Sequence, residues 1–141
     1  LDLTGKISPG WNVIASYSYT DAEVTEDNVT PIGNKLVGIP EHSASLWTTY
    51  TIQQGDLEGL GLGIGFNYVG NRKGDLANTF DLGSYFLTNA AIFYKKDNWR
   101  AALNFKNIFD INYVQGAPFS RFRNIETGAP FTVIGSVFVR F

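Results

Sequence analysis

Phe131-Thr132-Val133-Ile134-Gly135-Ser136-Val137-Phe138-Val139-Arg140-Phe141 closes the chain, and its alternation decides the fold. Every second residue back from Phe141 builds an uncharged, mostly apolar face of Val139, Val137, Gly135, Val133 and Phe131. Arg140, Phe138, Ser136, Ile134 and Thr132 make the other face mixed and charged. Successive side chains of a strand point to opposite sides, so a period of two reads as a strand between two different media.

Toward the amino end, six more segments alternate in the same way. Residues 98–109 set Trp99, Ala101, Leu103, Phe105 and Phe109 against Arg100, Asn104 and Lys106. Residues 84–95 are apolar on both sides; placing Phe86, Ala90, Ile92 and Tyr94 outward leaves Asn89 and Lys95 inward. The cleanest alternation is 59–70, where Leu60, Leu62, Ile64, Phe66 and Tyr68 interleave with Gly59, Gly61, Gly63, Gly65 and Asn67. In 42–52, Ala44, Leu46, Tyr50 and Ile52 oppose Ser43, Ser45, Thr49 and Thr51. Residues 11–21 carry Trp11, Val13, Ala15, Tyr17 and Tyr19 on one side, and 1–7 carry Leu1, Leu3, Gly5 and Ile7. A turn at Ser8-Pro9-Gly10 is expected to pair Ile7 with Trp11 and Gly5 with Val13.

The connections alternate short (8–10, about 53–58, 96–97) and long (about 22–40, 71–83, 110–130). Outer-membrane barrels have this rhythm of short periplasmic turns and long extracellular loops. Outward aromatics sort by height: Trp11, Tyr50, Tyr94, Trp99 and Phe141 at one end, Tyr19, Tyr68, Phe86, Phe109 and Phe131 at the other. Membrane interfaces select two such belts. Composition agrees, with 15% aromatics, 15 glycines, no cysteine and a formal net charge of −2. The absence of a basic excess argues against nucleic acid as a partner. No apolar run reaches the ~18 residues of a spanning helix.

The expected fold is therefore all-β, an antiparallel up-and-down transmembrane β-barrel segment. Its place is the outer membrane of a Gram-negative-type bacterium, against lipid and lipopolysaccharide. The last strand, ending at the aromatic Phe141, is what such barrels present to the barrel assembly machinery. Seven strands leave two bare edges, whereas bacterial barrels close with an even number. The chain, which starts at Leu1-Asp2-Leu3 without a signal peptide, thus reads as the C-terminal arc of a larger wall.

Several motifs, in this order and spacing, resemble one family. Asn107-Ile108-Phe109-Asp110 followed by Tyr113 is similar to the Asn-Leu-Phe-Asp-x-x-Tyr signature near the end of TonB-dependent outer-membrane receptors. Gly38-Ile39-Pro40-Glu41-His42-Ser43-Ala44 resembles that family's Gly-Val-Pro-x-His segment. Gly5-Lys6-Ile7-Ser8-Pro9-Gly10-Trp11 with Ala15-Ser16-Tyr17-Ser18-Tyr19 resembles its hairpin, and Ala117-Pro118 and Gly128-Ala129-Pro130-Phe131 its return into the last strand. The likeness spans 1–141 and is nearest the ferric-siderophore (ferrichrome-type) branch. It implies the last seven strands of a 22-stranded barrel whose N-terminal plug domain is not in this chain. It also implies a receptor, not an enzyme, that takes up ferric siderophore under TonB energy acting through the plug. This segment would hold no cofactor and would not transport alone. The competing readings are a passive porin or other outer-membrane barrel, and a soluble all-β binding domain with a shared apolar centre.

Long loops are where ligand contacts are expected. The last one carries Tyr113, Phe119, Arg121, Phe122 and Arg123, a set suited to an anionic or catecholate siderophore through charge pairing and cation–π contact. The plain alternative is loop packing or contact with lipopolysaccharide phosphates. On the inner face, Gly61 and Gly63 leave a bare stripe for close approach of the plug backbone. Setting Trp99 opposite Phe141 places Arg100 beside Arg140, a like-charge pair that a plug carboxylate would relieve. Asp21, Glu23, Glu26 and Asp27 lack the glycine-punctuated ligand loop of a calcium site and read as a solvated acidic loop. His42, the one histidine, reads as a strand start and supports neither a His-based metal site nor a catalytic triad. Gly61-Leu62-Gly63 is not a dinucleotide fingerprint, since no helix follows.

Overall fold

The computed structural model describes residues 1–116 and 125–140. Its strands are β1 (Asp2–Ser8), β2 (Trp11–Tyr19), β3 (His42–Thr51), β4 (Leu60–Val69), β5 (Arg72–Lys73), β6 (Asp81–Leu82), β7 (Tyr85–Lys96), β8 (Trp99–Lys106), β9 (Val114–Gly116), β10 (Glu126–Thr127) and β11 (Thr132–Val139). Seven of them form one antiparallel sheet in the order β1-β2-β3-β4-β7-β8-β11. The short strands β5 with β6, and β9 with β10, pair inside the long connections.

The sheet keeps the alternating apolar sets of its seven strands on one face across all its pairings, while Ile14, Trp47, Phe93, Ile134 and Phe138 lie on the other. One row runs Val13, Thr48, Ile64, Ala90, Phe105 and Val133; the next runs Trp11, Tyr50, Leu62, Ile92, Leu103 and Gly135. A one-residue slip anywhere would carry a strand's apolar set to the wrong side, so this continuity fixes the register. The doubly apolar β7 takes the expected facing, with Phe86, Ala90, Ile92 and Tyr94 beside Tyr68, Ile64, Leu62 and Leu60.

No second layer covers that face among the described residues. Leu62 is 60% exposed, Leu103 46% and Val137 74%, and the only buried hydrophobic residues described are Leu82 and Ala91. A soluble sandwich would bury these side chains against another sheet. That reading does not survive.

Two details of register differ from expectation. The turn after β1 has two residues, so Ser8 faces Trp11 and Ile7 is bulged out, while Gly5 does face Val13. Pro9 fixes φ at the first turn position and Gly10 (φ 82°) takes the second, an arrangement that splays the strands and that a bulge re-twists. At the other edge Val139 pairs with Trp99 and Phe138 with Arg100, and the Arg140 N–H donates to Asn98. Arg100 and Arg140 are thus one step apart along the same face and not directly opposed. Phe141 lies outside the described residues.

Candidate functional site

The mixed face of the sheet and the cluster of long loops are the two places where chemistry is concentrated. On the mixed face, Trp47 pairs with Gly65 and Phe93 with Gly61 across neighbouring strands. A Cβ on Gly65 would meet the Trp47 ring at 2.2 Å, one on Gly63 would meet it at 2.7 Å, and one on Gly61 would meet Phe93 at 2.2 Å. The glycine stripe is therefore not bare: two rings from the flanking strands lie flat over it, an aromatic–glycine cross-strand pairing. Any partner of Gly61 and Gly63 on this side meets aromatic carbon first. Gly59 belongs to the preceding turn, with φ 87° and the Lys95 carbonyl 2.0 Å from where a Cβ would stand.

Charge on this face is one-sided. Lys6, Lys95, Arg100, Lys106 and Arg140 share it with a single acid in the sheet, Asp2. Ion pairs among the described residues involve only Lys35 and Lys73, both in the loops. The Arg100 guanidinium sits 5.4 Å from the centre of the Phe93 ring. Uncharged hydrogen bonds join the rest of the face, Ser16 to Ser45 at 2.8 Å and Asn89 to Asn67 at 2.9 Å.

The long loops dock on one another and hold the most buried polar groups described. Arg72 is 5% exposed; it donates to the Gln115 and Val114 carbonyls at 2.8 and 2.7 Å and lies 5.3 Å above the Tyr85 ring. Its Nε has no hydrogen-bond partner among the described residues. The Tyr85 ring packs tilted against Tyr113 with centres 4.5 Å apart, and Gly128 packs so tightly on the Tyr113 ring that a Cβ there would stand 1.9 Å from it. Tyr113 is thus engaged in loop packing. Phe119, Arg121, Phe122 and Arg123 lie outside the described residues, as do Ala117 and Pro118.

Asn107 explains why a left-handed residue ends β8. At φ 50° it turns the chain, and its side chain donates to the Ile111 and Ala129 carbonyls (3.0 and 3.1 Å) while accepting from the Ile111 N–H. Asp110 (φ 48°) accepts the Phe131 N–H at 2.8 Å. Short polar side chains tolerate this backbone region and bond locally, so the Asn-x-x-Asp spacing acts as a clasp joining the end of β8 to the approach of β11.

The acidic loop is organised around a lysine. Lys35 bonds Asp21 and reaches Glu41 at 3.4 Å and Glu23 at 4.0 Å. The Asp21 hydrogen bond first, and then the charges of Asp21 and Glu41, raise its pKa above 10.5 against the opposing pull of burial. Asp27 accepts the Thr30 and Val29 N–H groups, which hold its carboxyl below 3.8. Among the described residues no group of three acids, cysteines or histidines is placed to hold a metal. His42 opens β3, as its position suggests, and its Nδ1 lies 2.9 Å from the Tyr17 hydroxyl.

The sequence reading missed Trp47, Lys35 and Arg72. Trp47 was legible, since it has the parity of Ser45 and Thr49 and faces a glycine-rich strand. Lys35 and Arg72 act through loop–loop docking, for which no local pattern exists.

Comparison with known proteins fits this architecture. Residues 1–108 match the family model described as TonB dependent receptor-like, beta-barrel. The ferrichrome outer membrane transporter/phage receptor of Escherichia coli K12 is 41% identical over 119 residues, covering 81% of this chain and 16% of that protein. The ferrioxamine B receptor of Salmonella typhimurium LT2 is 32% identical over 142 residues, covering 97% of this chain and 20% of that protein. The solved siderophore receptor PiuA of Acinetobacter baumannii superposes with a TM-score of 0.79 at 28% identity, over 97% of this chain and 20% of that one. The chain belongs to the TonB-dependent receptor family, and its seven-stranded sheet is a segment of the β-barrel of such an outer-membrane receptor.

Proposed function

We propose that the receptor containing this sheet imports ferric siderophores under TonB energy, and that this segment supplies wall rather than catalysis. The carrying observation is the unbroken sorting of faces across seven strands, with hydrocarbon the medium that suits the uncovered apolar side. The mixed side then faces the lumen. Its surplus of cations, which form no ion pair among the described residues, suits a filling domain, the receptor's own plug, that presents carboxylates toward Lys95, Arg100 and Arg140. Ferric siderophore is the transported ligand, approached from the loop side, where Arg121 and Arg123 supply positive charge. The relatives named for ferrichrome and ferrioxamine B indicate which ligands to try first.

The test is iron uptake by cells stripped of their own siderophore receptors and given the full-length receptor. Uptake of at least one of these two ferric complexes, lost when TonB is deleted, is expected. Uptake that persists without TonB would instead indicate a passive porin. Replacing Arg121 and Arg123 with Ala should weaken siderophore binding, and unchanged affinity would remove the loop arginines from the ligand site.

A further inference from the structure

The apolar face is not smooth. Near the short-turn end, Ala101 and Gly135 are small where their neighbours are large, and they leave an apolar hollow of about 430 Å³. Leu60, Ile92, Tyr94, Leu103 and Val137 form its rim. Below it stands Lys96, which shares the parity of Ile92 and Tyr94 and pairs with Trp99. Among the described residues of the sheet, Lys96 is the only side chain of formal charge on the apolar face, and it has no ion-pair partner. Tyr94 and Trp99 flank it with ring centres 5.4 Å apart. Two residues along a strand are about 7 Å, so the cation lies one headgroup's reach from the foot of the hollow.

We infer that this is a binding site for one anionic glycerophospholipid of the periplasmic leaflet. An acyl chain fills the hollow over Ala101 and Gly135. The phosphate meets the Lys96 ammonium, and the Trp99 indole N–H and Tyr94 hydroxyl supply further donors at the ester level. A lone cation on a face otherwise free of charge is costly in hydrocarbon unless it reaches the interface, and an anionic headgroup there repays the placement. The inference rests on the outward reading of the apolar face given above.

The test uses the full-length receptor in bilayer nanodiscs, with native mass spectrometry counting retained lipid as phosphatidylglycerol or phosphatidylcholine of identical acyl chains is titrated. Phosphatidylglycerol should be retained at roughly five-fold lower concentration, the worth of one interfacial lysine. Lys96→Gln should abolish that preference, whereas Lys95→Gln, one residue away on the opposite face, should leave it intact. Gly135→Leu should fill the hollow and weaken retention of both lipids equally. Equal retention of the two lipids by the inserted receptor, or a Lys96→Gln receptor with undiminished preference, overturns the site alone. Failure of the receptor to enter the bilayer overturns the outward reading and the site with it.

Discussion

The apolar face of the sheet and the loop crown both expose large hydrophobic side chains, yet they expose them differently. Leu62 is 60% and Val137 74% exposed on the sheet; Ile32 is 72% and Val29 92% exposed in the loop after β2. On the sheet such residues touch across every strand pair and form one surface without acids. In the crown they are scattered among ion pairs and backbone–side-chain bonds. Isolated exposed hydrophobics are ordinary on a wet surface, whereas a continuous one needs an apolar partner. Contiguity, more than exposure, identifies the medium.

The sharpest way to break this contrast is to place the same charge in both regions. Ile64→Arg should cost ~2–4 kcal/mol when the full receptor is unfolded from lipid bilayers, because Ile64 is the central outward residue of β4 and the guanidinium would sit near mid-membrane. Ile32→Arg should change stability by no more than about 0.5 kcal/mol, as for an ordinary wet surface. Equal small costs at both sites would erase the distinction.

The clasp at Asn107 probes the crown from the other direction. Asn107 is 3% exposed, and Asn107→Ala strands the Ile111 N–H and two carbonyls while leaving a left-handed backbone without its preferred residue. A loss of about 1–3 kcal/mol follows. Hydrogen exchange should localise it to the approach of β11, with the β3–β4 amides unchanged. Uniform loss of protection would mean that crown and wall unfold as one unit. Gly65→Ala tests the mixed face, since the new methyl displaces the Trp47 ring at a cost of about 1–3 kcal/mol. A shifted Trp47 emission spectrum should accompany it.

The contrast also explains what the sequence disclosed. Strand identity and facing were legible, even for the doubly apolar β7, because period two is a local signal and pairing propagates one strand's facing to the next. Absolute register at the carboxyl edge was not. Moving the partner of Trp99 from Phe141 to Val139 preserves both faces, so alternation alone cannot choose between them. The glycine stripe was seen but misjudged, because what fills it comes from the next strands along. The clasp was noticed as a motif, while its physical role needed the return of Ala129 and Phe131 from far along the chain. The proposed ligand residues Phe119, Arg121, Phe122 and Arg123 lie outside the described residues, in a stretch where periodicity offers nothing to read.

The smallest effect is the pH response, and it belongs to the crown. Lys35 has its pKa raised in the folded state, so its contribution is fully present below 10.5 and fades as pH climbs through the raised value. Asp27 has its pKa lowered, so its contribution is fully present above 3.8 and fades as pH drops through the lowered value. Between those limits both links are intact and crown stability should be flat with pH. Asp27 is exposed and Lys35 only half-buried, with its acidic partners open to water, so salt should weaken the Lys35 cluster as well. Amide exchange at the Glu23–Lys35 bridge, corrected for intrinsic rates, should therefore quicken only at alkaline pH and in high salt, while the turn at Val29 and Thr30 quickens only in acid. A midrange step in either would require a different titrating group in the crown.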